Sequence, residues 1–99
     1  MNEEARPRLG KGVKLRHEPD GTVMLLVPEG ALILNTSAAA ALELVDGERA
    51  LREIVETIVE RFEVEPECAR EDLNGLFDRL EERGFVRPSS FDFGQDDTN

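Results

Sequence analysis

The sequence predicts an α+β domain in which a three-stranded antiparallel β-meander is followed by three α-helices. Three short runs before residue 35 are apolar or alternating, and the turns PDG and PEG separate them. From residue 38 onward, apolar residues recur at the i, i+3, i+4 spacing of amphipathic helices. The chain has 99 residues, 39% hydrophobic and 34% charged, a composition typical of one soluble globular domain.

The first predicted strand lies in LGKGVKLRHE, where apolar and basic side chains alternate as on a half-exposed strand. TVMLLV, residues 22–27, forms the second strand, and ALIL, residues 31–34, forms the third. Such short connections favour antiparallel pairing of neighbouring strands. Lys14 and Arg16 protect the edge of the first strand against unwanted pairing, whereas the third strand has no charged side chain.

Three helices follow the strands. The side chains able to cap the first helix are those of Asn35, Thr36 and Ser37. Gly47 can end this helix, because glycine readily adopts positive φ. The second helix covers residues 51–62, where six apolar residues share one face. The third begins at Pro66, which suits a first helical position, and ends at Gly84.

The chain divides into a flexible N-terminal arm, residues 1–8, a folded domain, residues 9–87, and a disordered acidic tail, residues 88–99. Cys68 is the one cysteine, which excludes an internal disulfide and favours a reducing compartment. The N-terminus lacks an apolar signal core, and no apolar run is long enough to span a membrane. We therefore expect a cytoplasmic protein that does not bind membranes.

No constellation for catalysis is visible, so we expect a protein that is not an enzyme and needs no cofactor or metal. His17 is the one histidine and lies in a predicted strand, far from any nucleophile motif. Cys68 begins the third helix among glutamates, which favours a partly buried structural cysteine. The sequence contains neither zinc-ligand spacing nor a phosphate-binding glycine motif.

The third strand poses the functional question, because its four apolar residues cannot all face the helices. Either Leu32 and Leu34 or Ala31 and Ile33 face inward, and the other pair needs cover. An extended peptide that adds a fourth strand can supply that cover. The third helix, the tail or a second copy of the chain can also supply it.

Residues 7–87 resemble the PqqD family of pyrroloquinoline quinone (PQQ) biosynthesis. The resemblance rests on the order and spacing of PRL, GVKLR, VPEG, LNTSAAAALELVDGER, LREIVETIVERF and RGFV. The sequence departs from the family at Ala50 and Glu65, where residues that cap helices better are usual. The first change removes a cap worth about 1 kcal/mol.

The resemblance implies a winged-helix-like fold, the recognition element for ribosomally synthesised and post-translationally modified peptides (RiPPs). It implies a non-catalytic chaperone that binds the precursor peptide PqqA and presents it to PqqE, a radical S-adenosylmethionine enzyme. The peptide then pairs with the third strand and lies against the third helix. The residues expected to bind it are Gly30, Ala31, Leu32, Ile33, Leu34, Arg70, Leu73, Asn74 and Phe77.

Two other functions remain open at this point. A winged-helix protein can bind nucleic acid, but a net charge of -10 and several carboxylates on the third helix would repel phosphate. A structural module can instead self-associate, as a homodimer paired through the edge of the third strand.

Overall fold

Five strands and three helices make up residues 1–88, the part of the chain that this computed structural model describes. The elements are β1 (Pro7–Leu9), β2 (Lys14–His17), β3 (Val23–Val27), β4 (Gly30–Leu34), α1 (Thr36–Glu43), α2 (Leu51–Phe62), α3 (Pro66–Glu82) and β5 (Val86–Pro88). β2, β3 and β4 form the expected antiparallel meander. The predicted α+β class and the three helices are confirmed.

A second sheet, which the sequence analysis did not predict, joins the two ends of the domain. β1 and β5 pair antiparallel, with Leu9 opposite Val86. The chain passes very close to itself at Gly10, whose N–H donates to Phe85 O at 2.7 Å. A Cβ at Gly10 would overlap the carbonyl oxygen of Gly84, so this crossing requires glycine.

The three helices pack against one another, and α1 joins them to the meander through its contacts with β3 and β4. Asn35 caps α1, because its Oδ1 accepts from Ala38 N at 2.8 Å. Four consecutive alanines and Leu42 are buried on α1, and their small side chains let its neighbours pack closely. The core lies between these helices and β3, and its largest fully buried side chains include Phe77, Leu25, Leu42, Leu51, Ile54 and Ile58.

The N-terminal segment is not the loose arm expected for residues 1–8. Its main chain caps α2, since Ala5 O accepts from Leu51 N at 2.9 Å and Glu3 O accepts from Arg52 N at 2.8 Å. Ala50 has no side-chain acceptor of its own, so these carbonyls satisfy helix N–H groups that would otherwise lack partners. Ala5 is buried, which also ties the segment to the domain.

The surface carboxylates of Glu4 and Asp46 have pKa values below their ordinary range for separate reasons. The hydrogen bond from Arg52 Nε to Glu4 Oε2, at 3.0 Å, lowers the Glu4 pKa. In the connection between α1 and α2, the Asp46 carboxylate accepts from the main-chain N–H groups of Arg49 and Glu48, both at 2.9 Å. These two bonds lower the Asp46 pKa and fix the turn that precedes α2.

The C-terminal end of the domain folds back on the core, as predicted. Phe85 N donates to Leu80 O at 2.9 Å, and both Phe85 and Val86 are buried. Pro88 still belongs to β5, and residues 89–99 of the predicted acidic tail lie outside the described residues. Within residues 1–88, no helix combines the length and the apolarity that a membrane crossing demands.

Candidate functional site

The free edge of β4 is the first component of the candidate site. Within residues 1–88, β4 pairs with β3 and has no strand on its other side. One hydrogen bond in the β2–β3 turn shows which residues of β3 point their main-chain groups toward β2. Glu18 N donates to Thr22 O at 2.8 Å, so Thr22 bonds toward β2. Because main-chain groups alternate in direction along a strand, Met24 and Leu26 also bond toward β2.

The remaining residues of β3 are Val23, Leu25 and Val27, and their main-chain groups therefore bond toward β4. Their partners in the register are Gly30, Leu32 and Leu34. The N–H and C=O groups of Ala31 and Ile33 point the opposite way, to the free edge. Two residues thus present four main-chain groups in the spacing that an added strand needs.

The register also decides which side chains of β4 face the helices. Leu32 lies opposite Leu25, which is fully buried, and side chains of directly paired residues share a face. Leu32 and Leu34 therefore face the helices, whereas Ala31 and Ile33 face away from them. Ile33 is 76% exposed and Leu32 is still 37% exposed. Neither side chain is covered as a core residue would be.

A groove lies just beyond the Leu34 end of β4, between the start of α1 and the middle of α3. Its volume is about 300 Å³. Asn35, which directly follows β4, and Ser37 lie on one side of it. The complete lining comprises Asn35, Ser37, Ala38, Glu71, Asp72, Leu73, Gly75, Leu76 and Arg79. None of these lining residues belongs to β4, so the groove begins where the strand ends.

Two residues of α3 that the sequence analysis assigned to peptide binding lie on its buried stripe. Leu73 is 4% exposed but lines the floor of the groove, so it can contact a bound chain. Phe77 is fully buried in the core and does not line the groove. Its role in the structure is to hold α3 against the rest of the domain.

Arg70 and Asn74 lie on a different side of α3, against the N-terminal segment. Arg70 Nε lies 3.1 Å from Glu3 Oε2, and Asn74 Nδ2 donates to the same oxygen at 3.1 Å. Neither residue lines the groove. Arg70 Nε and Asn74 Nδ2 thus contact Glu3 within the domain, whereas Asn74 Oδ1 is buried without a hydrogen-bond partner among the described residues. Their contact with a peptide stays a prediction.

The structure adds Gly75 and Leu76 to the groove, and it places Arg79 there as well. Gly75 is unusual in the middle of a helix, because glycine is a poor helix former. That was the one signal in the sequence for its position. Arg79 takes part in none of the ion pairs within residues 1–88. The groove therefore holds one guanidinium beside the carboxylates of Glu71 and Asp72.

The two residues considered for catalysis from the sequence lie apart from the groove floor. His17 Nε2 lies 2.8 Å from Glu43 Oε2 in an exposed pair between β2 and α1. Cys68 is exposed, so the expectation of a partly buried cysteine is wrong. Among the residues that the structure describes, no three His, Cys, Asp or Glu side chains are grouped as metal ligands are.

Residues 22–86 match the model of coenzyme PQQ synthesis protein D (PqqD). A protein of Azotobacter vinelandii named PqqA binding protein is 38% identical over 81% of this chain and 87% of its own length. A protein of Rhizobium meliloti with the same name is 34% identical over 77% of this chain and 79% of its own length.

Two solved structures resemble the fold. The solution structure of the PqqD truncation of Methylobacterium extorquens PqqCD, described as a functional, stand-alone RiPP recognition element, superposes with a TM-score of 0.70 and 28% identity. The superposition covers 82% of this chain and 87% of the PqqD truncation. Lasso peptide synthetase B1, solved with the leader peptide, has a TM-score of 0.71 and 24% identity, over 85% of this chain and 100% of its own. The second likeness concerns the fold alone.

Proposed function

The chain belongs to the PqqD family. We therefore propose that it is a non-catalytic peptide chaperone of PQQ biosynthesis. It binds the precursor peptide PqqA as an added strand beside β4. It then presents the bound peptide to PqqE, a radical S-adenosylmethionine enzyme.

The proposal rests on the direction of the main-chain groups at the free edge of β4. The outward main-chain groups of Ala31 and Ile33 lie on a strand that no charge protects. The names of the relatives support the choice of PqqA, since they are called PqqA binding proteins. The description of the similar solution structure as a peptide recognition element supports the same choice.

Main-chain and side-chain contacts have different roles in this arrangement. An added strand exchanges N–H···O=C bonds with Ala31 and Ile33, each worth about 0.5–1.5 kcal/mol net. Such bonds fix the path of the peptide but do not depend on its sequence. Leu32, Leu76 and Arg79 supply the side-chain contacts that select one peptide over another.

Presentation to PqqE requires that part of the bound peptide stays accessible. A strand added beside β4 turns one side toward the helices, and its other side continues the outer face of the sheet and stays open. Lys14 and Arg16 are exposed on that outer face, opposite Leu26 and Met24 in the register. Size-exclusion chromatography with PqqE, with and without PqqA, tests this step, because we expect coelution that PqqA does not abolish.

A pair of substitutions at one residue tests strand addition. Ile33→Pro removes an N–H that points to the free edge and places a ring there, whereas Ile33→Val retains the N–H. Proline is tolerated on an edge strand when its missing N–H faces solvent, so the fold should survive. Fluorescence anisotropy with labelled PqqA should show a loss of affinity of at least about tenfold for Ile33→Pro, equivalent to about 1.4 kcal/mol. Ile33→Val should bind nearly as the wild type does.

Ala31→Pro repeats this test at the second outward residue, in case Ile33→Pro fails to fold. Circular dichroism establishes that each variant is folded. Binding of PqqA to folded Ile33→Pro and Ala31→Pro with wild-type affinity would rule out strand addition at this edge.

Self-association through the same edge is the second candidate, because an uncharged free strand can pair with a second copy. Light scattering over a concentration range distinguishes the two. A dimer that Ile33→Lys dissociates and PqqA does not affect would favour the homodimer as the main function of the edge.

A further inference from the structure

A second cavity, more apolar than the groove, lies at the first turns of α3. Its volume is about 170 Å³. Ser37 of α1 borders it, and Val64, between α2 and α3, forms part of its wall. Its lining residues are Ser37, Ile58, Phe62, Val64, Cys68, Ala69, Asp72 and Leu73. We call it the apolar cavity.

The apolar cavity continues the groove along α3. The two share Ser37, Asp72 and Leu73 in their linings, so they are direct neighbours along α3. The groove runs beside α3 from Arg79 to Glu71, and the apolar cavity extends this path to Cys68. A chain that leaves the Leu34 end of β4 and follows α3 toward its N-terminus therefore reaches the apolar cavity.

Val64 shows that this region has apolar surface that the rest of residues 1–88 leaves uncovered. Its side chain is 40% exposed, one of only three large hydrophobic residues exposed within residues 1–88. The other two, Leu32 and Ile33, belong to the free edge of β4. All three thus lie at the edge or along its continuation, as a single extended ligand would require.

We propose that the apolar cavity binds one aliphatic side chain of the precursor peptide, from a residue beyond the segment that pairs with β4. This inference rests on the proposed function and names a specificity site within it. Cavities of roughly 150 Å³ with aliphatic walls accept an apolar molecule the size of benzene. The apolar cavity therefore has room for one branched aliphatic side chain.

The site adds a length requirement to recognition. Strand pairing at Ala31 and Ile33 is indifferent to peptide sequence, but the apolar cavity demands an aliphatic residue at a fixed distance from the paired segment. In either orientation, that residue lies past the Leu34 end of β4. A polar residue at that position would leave Val64 exposed and would forgo the apolar contact that an aliphatic side chain gains there.

Two substitutions change the apolar cavity in opposite ways. Val64→Ser removes part of its apolar wall, and Ala69→Leu fills it. Each should weaken binding of PqqA about tenfold, the usual effect of losing the burial of one aliphatic side chain. The matched control is Val59→Ser on α2. Val59 packs against the core but lines neither the groove nor the apolar cavity, so its loss should lower stability and leave affinity unchanged.

Cys68 gives an independent readout, because it is the one cysteine of the chain and lies on the cavity wall. Saturating PqqA should slow its alkylation by iodoacetamide. A PqqA peptide with the aliphatic residue changed to Ser should bind more weakly and protect Cys68 less. A scan of each aliphatic residue of PqqA in turn identifies that residue.

The proposal and the function it depends on fail in different ways. If Ile33→Pro weakens PqqA binding but Val64→Ser and Ala69→Leu do not, and Cys68 alkylation is unchanged, strand addition stands and this inference is refuted. If PqqA does not bind the wild-type protein, both are refuted.

Discussion

Gly75 should limit the stability of the domain in exchange for space in the groove. It lies in the middle of α3, where Ala is more favourable than Gly by about 1 kcal/mol. A Cβ built on Gly75 meets only the end of the flexible Arg79 side chain, at 3.5 Å, which is ordinary contact. Gly75→Ala should therefore stabilise the protein by about 1 kcal/mol, which raises the melting temperature by about 4–8 °C in a domain of this size.

The same methyl group should hinder the peptide. Gly75 lines the groove, and an additional methyl in a well-packed contact costs about 1–3 kcal/mol. The affinity for PqqA should then fall by at least about fivefold. Circular dichroism melts and fluorescence anisotropy measure the two effects on the same preparation.

Thr57→Ala on α2 is the matched control. Thr57 Oγ1 donates to Glu53 O at 2.9 Å, and a side-chain bond of this kind to the i−4 carbonyl slightly destabilises a helix. Ala is also the better helix former. The melting temperature of the Thr57→Ala variant should rise slightly, with no change in its affinity for PqqA. If Gly75→Ala is more stable and still binds PqqA as tightly as the wild type, the peptide does not approach this part of α3.

Three further predictions test other parts of the structure. Ile33→Lys should weaken PqqA binding with little change in melting temperature, because this side chain is 76% exposed; a large fall in melting temperature would contradict the assigned facing. Deletion of residues 1–6 should lower the unfolding free energy by about 2 kcal/mol in urea titrations, since α2 loses two main-chain acceptors; unchanged stability would show that water replaces them fully. The lowered pKa of Asp46 means that the ionised carboxylate stabilises the fold above its ordinary pKa of 3.8, and that this stabilisation is lost as the pH falls further. As the pH falls below 3.8, Asp46→Asn should therefore lose less stability than the wild type, and an equal loss would refute the assignment.

The sequence predicted the meander and the helices because their signals are local. The side chain of Asn35 and the ring of Pro66 mark helix starts directly, and apolar periodicity marks the buried stripes. The facing of β4 could not be read in the same way, since both of its faces are apolar. The pairing with β3 determines this facing, because Leu32 lies opposite the buried Leu25.

The β1–β5 sheet and the cap of α2 escaped prediction for related reasons. Both depend on main-chain groups that are far apart in the sequence, and such groups have no side-chain signature. Pro7 and Pro88 at the ends of the pair resemble loop signals. Ala50 was the one clue, because a helix start without a capping side chain needs an acceptor from elsewhere.

The candidate site was predicted in its strand more closely than in its helix. Gly30 to Leu34 lie at a free edge, as the uncharged pattern indicated. On α3, charged residues flank the stripe on both sides, and periodicity alone does not say which flank adjoins β4. The contacts of Arg70 and Asn74 with Glu3 place them beside the N-terminal segment, and Arg79 adjoins the groove.

Amide hydrogen exchange, followed by NMR on the 15N-labelled protein with and without saturating PqqA, tests strand addition most directly. The account predicts that PqqA protects the amides of Ala31 and Ile33. The amide of Leu32 already bonds to β3 and should change little. Saturable binding of PqqA without new protection at Ala31 and Ile33 would contradict the central claim and place the peptide elsewhere on the domain.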